Sequence, residues 1–350
     1  MAKEDQEKES NMAKLRAGII GLKEGGEKLL AGLAMSERFE VQAIADRDME
    51  LAKKVGAEYG VEPYDDYRRL IVQEKPGVLF LAVPTYQCGE CIQLAAKAGT
   101  HIYKESPLAR SLPEAVQWLD LMQKSGKKFH VGAVKRFHPA YQKAHQLVEE
   151  EQIGTVYLVR AEVFFKIEGD FGWRGDPVLS GGGVLLEMAY AMIDQVVWNK
   201  GAPERLYSLN TDKCSKRVLP PSRTEDTAVL TMMFPDGTMG NVLCGWMTEP
   251  SGERLILHGT EGTIELDRDV LRWLDSAGNV VLKKKYSCSE AELTERQIEY
   301  FADLLTDPEV KSVSDGGDHL VNVAIIESAY LSGRTQLPEN LKVYGSLFDV

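Results

Sequence analysis

The sequence predicts an α/β fold in two parts, a doubly wound parallel sheet over residues 15–135 and an α+β domain with an open, mainly antiparallel sheet over 136–350. Three observations predict it. Strand-like and helix-like segments alternate over roughly the first 120 residues, the rhythm of βα units. The run Val78-Leu79-Phe80-Leu81-Ala82-Val83 is apolar at every position between Pro76-Gly77 and Pro84, as a strand covered on both faces must be. Beyond Val156 the helical spacing gives way to short strands joined by turns such as Pro235-Asp236-Gly237, a hairpin signal.

Each element has its own reason. Residues 17–20 form a short apolar strand, followed by a glycine-bearing turn at 21–26 and a helix with Leu29, Leu30 and Leu33 on one side. Phe39, Val41, Ala43 and Ala45 then alternate along a second strand that ends at Asp46. Leu51, Ala52, Val55 and Tyr59 carry helical spacing, and 66–73 is a further short helix. The helix at 89–97 stops at Gly99, His101-Ile102-Tyr103 is a strand, Ala115, Leu119 and Met122 mark a helix, and 129–133 a strand. At Arg136-Phe137-His138-Pro139 the rhythm changes. A helix at 141–151 leads into a strand at 156–165, and strands follow at 227–234, 238–246, 254–258, 263–266, 270–274 and 280–286. One helix, 183–198, follows Ser180-Gly181-Gly182-Gly183, and helices at 290–305 and 318–332 close the series.

The chain has 350 residues, 44% hydrophobic and 27% charged, with a net charge of −12. That acidity argues against nucleic acid or an anionic membrane surface as partner. No apolar run approaches the ~20 residues that span a bilayer. Residues 1–14, MAKEDQEKESNMAK, read as a disordered polar leader without the apolar stretch of a secretory signal, so the cytoplasm is the expected compartment. The five cysteines, Cys88, Cys91, Cys214, Cys244 and Cys288, are an odd set in a long chain and no disulfide framework. Cys88-Gly89-Glu90-Cys91 has no second pair at metal spacing and reads as two ordinary thiols; no metal is expected. His258 and His319 read as ordinary sheet and helix-start residues.

The stretch 15–46 carries the chemistry. Strand, glycine turn, helix and second strand make a βαβ unit of the Rossmann type that holds a dinucleotide. The turn lets the backbone approach a pyrophosphate, the helix N-terminus offers free N–H groups, and Asp46 is placed to grip a ribose hydroxyl. In G-x-G-x-x-G the middle glycine falls on Lys23, while Gly21, Gly25 and Gly26 keep the loop permissive. The Lys23 ammonium either pairs with the pyrophosphate as a point charge or fills the space the phosphates need. Asp46 favours NAD, because a carboxylate repels a 2′-phosphate; Arg47 beside it keeps NADP open. The plain alternative for Asp46 is a strand-end cap.

The order of these motifs resembles the glucose–fructose oxidoreductase / inositol dehydrogenase (Gfo/Idh/MocA-like) family from residue 15 to about 340. The matching pieces are Ala45-Asp46-Arg47-Asp48, the segment 84–99, Glu105-Ser106-Pro107-Leu108-Ala109, Gly132 through Arg136-Phe137 and Pro139, Trp173-Arg174 with Gly181-Gly182-Gly183, Glu225-Asp226-Thr227, Gly259-Thr260-Glu261-Gly262-Thr263, and 328–333. The resemblance implies an oxidoreductase that transfers hydride between NAD(P) and a sugar-like or cyclitol-like polyol, with Pro84 and Glu105 beside the cofactor. It also exposes three departures. The lysine of the family's E-K-P is Ser106, the histidine four residues after the acid on the substrate helix is Ala191, and the histidine after the fourth strand is Cys88. The resemblance is therefore to a divergent member.

On a continuous helix from Gly183, Glu187, Tyr190 and Asp194 share a wall. Tyr190, Lys104 and Glu187 are the catalytic candidates, with the tyrosine lowered toward neutrality by Lys104 or Lys135. Arg136, Trp173, Arg174, Glu187 and Asp194 are the substrate-binding candidates, Trp173 and Arg174 as an aromatic surface and a fork-shaped donor. The alternatives to a dehydrogenase are a non-catalytic member that senses cofactor or sugar, and redox-neutral chemistry on a tightly held cofactor. An open sheet face suggests a homodimer or homotetramer.

Overall fold

A strand buried on both faces needs helices above and below it, and the first of two compact units supplies them. The structure, a computed structural model, describes residues 13–23, 25–214 and 222–341. Of the leader expected at 1–14, all but Ala13 and Lys14 lie outside the described residues. The first unit takes Met1–Glu105, Gln117–Gly132 and Ser289–Asp315; the second takes Ser106–Val116, Ala133–Cys288 and Gly316–Val350.

In the first unit, β1 (Leu15–Ile20), β2 (Phe39–Ala45), β3 (Glu62–Tyr64), β4 (Val78–Leu81), β5 (His101–Glu105) and β6 (Phe129–Gly132) form one sheet. Its order is β3-β2-β1-β4-β5-β6, and every neighbouring pair is parallel. The chain leaves β1 toward β2 and later returns to its other side with β4. The crevice at this reversal is where doubly wound sheets bind ligands. All four residues of β4 are buried. Asp48 caps the helix Met49–Tyr59 through Leu51 N–H, and Gly60 ends it at φ +69°.

A single boundary at 135/136 does not hold. The helix Glu290–Thr306 belongs to the first unit, where Ile298, Phe301 and Ala302 join Leu29, Leu33, Phe80 and Tyr103 in one core. Phe80 meets Phe301 edge-on at 6.1 Å. Local spacing cannot say which sheet an amphipathic helix covers.

The second unit holds β7 (Val156–Lys166), β8 (Arg205–Thr211), β9 (Thr227–Met233), β10 (Met239–Gly245), β11 (Met247–Gly259), β12 (Gly262–Asp267), β13 (Val270–Asp275), β14 (Val280–Lys285) and β15 (Glu339–Asn340). Their order is β14-β13-β12-β11-β7-β10-β9-β8-β15. Pairing is antiparallel except between β7 and β10, which run parallel. The β9–β10 hairpin closes as expected, with Phe234 N–H bonded to Thr238 O and Gly237 at φ +85°. β8 carries no clear strand signal in the sequence, because after the buried Leu206 its pattern reverses: Ser208 faces in and Leu209 is exposed.

The helix expected over 183–198 is two pieces, Val184–Glu187 and Tyr190–Lys200. Ala189 N–H reaches back five residues to Val184 O, a wide turn that breaks the α-helical ladder. Glu187 and Tyr190 therefore do not lie on one continuous helical face. Among the described residues no helix is long and apolar enough to cross a membrane.

Candidate active site

The turn after β1 is built from missing side chains. Gly21 sits at φ +91°, and a Cβ there would come within 2.7 Å of Ala82 O at the end of β4. A Cβ on Gly26 would strike Gly21 O, and one on Gly25 would overlap the Glu105 carboxylate. The helix Gly25–Met35 thus starts against the turn, with Gly26 N–H turned back to Lys23 O. Lys23 replaces a glycine without harm to this geometry because its side chain points to water. It is 68% exposed and leans toward Asp48, 3.8 Å away.

Asp46, just past β2, does cap the strand: Oδ2 accepts Leu22 N–H at 2.9 Å and Oδ1 accepts Asp48 N–H at 2.9 Å. A carboxylate has about four lone-pair sites, so two bonds leave room for a ribose hydroxyl. Arg47 beside it is exposed. Pro84 is half-buried and caps the short turn Thr85–Gln87. Glu105 ends β5 with its carboxylate against Gly25. Lys104 is 2% exposed, and its Nζ donates to Thr85 Oγ1 at 3.3 Å and Glu105 O at 2.9 Å.

The second unit brings Trp173, Arg174 and Glu187 together. The first two lie on the single turn Gly172–Gly175. Arg174 Nε donates to Glu187 Oε2 at 3.2 Å, and the guanidinium lies 4.5 Å above the Trp173 ring. The Arg174 side chain is 31% exposed and that of Glu187 10%, a charged pair at the edge of solvent.

The second unit also holds a buried polar cluster. Arg136 grips Asp194 with two bonds, Nη2 to Oδ1 at 2.6 Å and Nε to Oδ2 at 2.9 Å. Asn322 Nδ2 donates to Asp194 Oδ1 at 2.9 Å and lies 3.1 Å from His319 Nδ1. Tyr190 Oη lies 3.2 Å from that same imidazole nitrogen and accepts Leu108 N–H at 3.3 Å. Burial raises the Asp194 carboxyl, yet His319 and Arg136 outweigh it and hold it below its ordinary value. Burial pushes His319 down to about 4, so it is neutral at pH 7.

Two expectations change here. Burial raises the Tyr190 hydroxyl instead of a lysine lowering it. Lys135, the second lysine considered, is bonded to Glu253 Oε1 at 2.5 Å. His319 is no plain helix start, being fully buried in contact with Tyr190, Asn322 and Asp194. A histidine in an apolar helix start gives no sequence signal of such partners, since Tyr190 and Asp194 both come from the distant helix Tyr190–Lys200. Cys88 and Cys91 are both buried and form no disulfide, and burial raises Cys91 far from reactivity. Among the described residues no three His, Cys, Asp or Glu side chains group to hold a metal.

The chain matches known proteins along most of its length. The model of an oxidoreductase family with an NAD-binding Rossmann fold matches residues 15–133, and that of the GFO/IDH/MocA C-terminal domain matches 141–265. The D-xylose 1-dehydrogenase (NADP(+)) 2 of Haloferax volcanii is 29% identical over 197 residues, 56% of this chain and 60% of that protein. The match thus spans less than two thirds of that relative's length. The scyllo-inositol 2-dehydrogenase (NAD(+)) of Bacillus subtilis is 26% identical over 83% of this chain and 86% of its own. In structure the chain is similar to levoglucosan dehydrogenase in complex with NADH and levoglucosan, with a TM-score of 0.86 at 21% identity, covering 94% of this chain and 99% of that one. At that identity the likeness shows the fold.

Proposed function

The chain belongs to the GFO/IDH/MocA oxidoreductase family, and from that premise we propose that it oxidises or reduces a sugar-like or cyclitol-like polyol with NAD, or with NADP. The observation that carries this reading is the turn after β1. Its glycines keep the cradle free of Cβ atoms, and Lys23 is drawn aside toward Asp48. Gly21, Lys23, Gly25 and Gly26 would hold the pyrophosphate, with Lys23 near enough to swing back as a point charge. Asp46 and Arg47 would hold the ribose, Pro84 and Glu105 the nicotinamide side. The cofactor, when bound, supplies the hydride chemistry.

What the chain supplies is orientation and a place for the hydroxyl proton. Trp173 offers an apolar ring face, and Arg174 and Glu187 bind hydroxyls. Of the three catalytic candidates, Glu187 is the one at the edge of solvent, and we assign it the proton. Tyr190 and Lys104, each 2% exposed, act by holding Leu108, His319, Thr85 and the Glu105 carbonyl. Arg136 and Asp194 we place behind the substrate surface instead of on it, because each is taken up by the other.

The resemblance puts Ser106 and Ala191 where the family carries a lysine and a histidine, and those two residues support a second reading, a member that binds cofactor or sugar without turnover. Redox-neutral chemistry is the third. Assay of the wild type over a polyol panel with NAD and NADP decides among them. The dehydrogenase reading expects reduced cofactor to form, and Glu187→Gln to lower kcat/KM by about 10²-fold or more. Cofactor-dependent thermal stabilisation without any turnover would support the sensor, and an epimerised product without net reduced cofactor the third.

The outward sheet face pairs Leu209 with Val229 and Met233 with Met239 across strands, and all four are exposed. We propose a homodimer or homotetramer through it. Five cysteines without a disulfide fit a reducing compartment such as the cytoplasm.

A further inference from the structure

We propose that Glu225 is a positioning residue, which ties the glycine turn at 181–183 in place and thereby aims Glu187 at the substrate. The proposal rests on the polyol reading of Glu187 given above. Three successive backbone N–H groups converge on Glu225. Its Oε2 accepts Gly183 N–H at 2.8 Å, its Oε1 accepts Leu185 N–H at 3.0 Å, and its main-chain carbonyl accepts Val184 N–H at 3.0 Å. Tyr330, from the helix Leu320–Thr335, donates its hydroxyl to Oε1 at 2.9 Å and also accepts Gly183 N–H at 3.2 Å.

The fit leaves no slack. A Cβ on Gly183 would strike Glu225 O, and one on Gly182 would strike the Tyr330 hydroxyl. The helix Val184–Glu187 is a single turn, cut off by the wide turn at Ala189. One isolated turn has almost no stability of its own. Its direction is therefore set by what grips its first N–H groups, and Glu187 is the residue at its far end. The same orphan donors that a capping side chain would satisfy locally are satisfied here from a distant loop.

Burial pushes the Glu225 carboxyl up to about 7. The ionisable groups that face it are Tyr330, from the helix Leu320–Thr335, and Cys244, on β10. Burial raises both, so both stay neutral near pH 7. As pH falls through 7 the carboxylate gains a proton where three donors already point at it, and at least one donor loses its acceptor.

The test compares wild type with Glu225→Gln by hydrogen–deuterium exchange of residues 181–189 and by steady-state kinetics. Exchange in that segment should quicken about tenfold at pH 8, and kcat/KM for the polyol should fall about tenfold, through a higher KM and a lower kcat together. Wild-type kcat/KM should also fall below pH 7, and the variant's kcat/KM should stay low and flat. Unchanged exchange overturns the proposal, as does faster exchange with unchanged kcat/KM. If Glu225→Gln does not melt cooperatively, Tyr330→Phe keeps the carboxylate and removes one donor. It should quicken exchange about two- to fivefold, and no change there is equally fatal. Should the wild type turn over no polyol, the earlier reading fails on that result alone, and the exchange rates still sustain or overturn the tie.

Discussion

The turn after β1 and the polar cluster around Asp194 are built by opposite means. The turn works through absent side chains: at Gly21, Gly25 and Gly26 backbone and the Glu105 carboxylate pack where a Cβ would collide. The cluster works through present ones, with Arg136, Asp194, Asn322, His319 and Tyr190 each satisfying the next. A backbone-built site tolerates a new side chain as long as that side chain can point outward, as Lys23 does. A side-chain-built site does not, because each member is buried and holds a neighbour's charge or proton. The comparison explains why an altered glycine motif can coexist with an intact cradle.

The sharpest way to break the comparison is to remove one charge from each region. Arg136→Ala leaves Asp194 as an uncompensated buried carboxylate and should cost about 4 kcal/mol of unfolding free energy. Urea unfolding measures it, and a loss below about 1 kcal/mol would mean that the cluster is wetter than the geometry indicates. A smaller effect comes from pH. The folded-state pKa of His319 is depressed to about 4 from an ordinary 6.5. Its contribution to stability is therefore fully present above pH 6.5 and is lost as pH falls through 4, on the order of 2–3 kcal/mol. Wild type should lose more stability between pH 6.5 and 4 than His319→Gln does; parallel curves would show that the imidazole does not report on the cluster.

The same contrast decides how much could be read from the chain. Five strands of the first sheet were legible because a parallel strand is apolar at every position, as 78–81 is, and because glycine and Asp46 stand at a spacing the backbone itself demands; the three-residue β3, Glu62-Pro63-Tyr64, is too short to show a pattern. The β9–β10 hairpin was legible from Pro235-Asp236-Gly237. β8 was not, since Ser208 faces in and Leu209 out, the reverse of the usual pattern. The break at Met188-Ala189 was hidden too, because both residues suit a helix and the interruption comes from a backbone bond to Val184 O. In the candidate site, Trp173, Arg174 and Glu187 each stood out in the sequence as a substrate-facing candidate, but the pairing of Arg174 with Glu187 is visible only in the fold. His319, Asn322 and Glu225 were missed as partners, since His319 and Asn322 meet the helix Tyr190–Lys200 from about 130 residues away and Glu225 meets Gly183 and Leu185 from about 40.

Titration of NADH into wild type and Lys23→Gly, followed by nicotinamide fluorescence, tests the backbone-built cradle most directly. The outward-pointing Lys23 predicts that both proteins bind, with dissociation constants within about threefold of each other, a difference below about 1 kcal/mol. Binding by Lys23→Gly but none by wild type would show that the ammonium side chain blocks the groove, and would contradict the cradle described here.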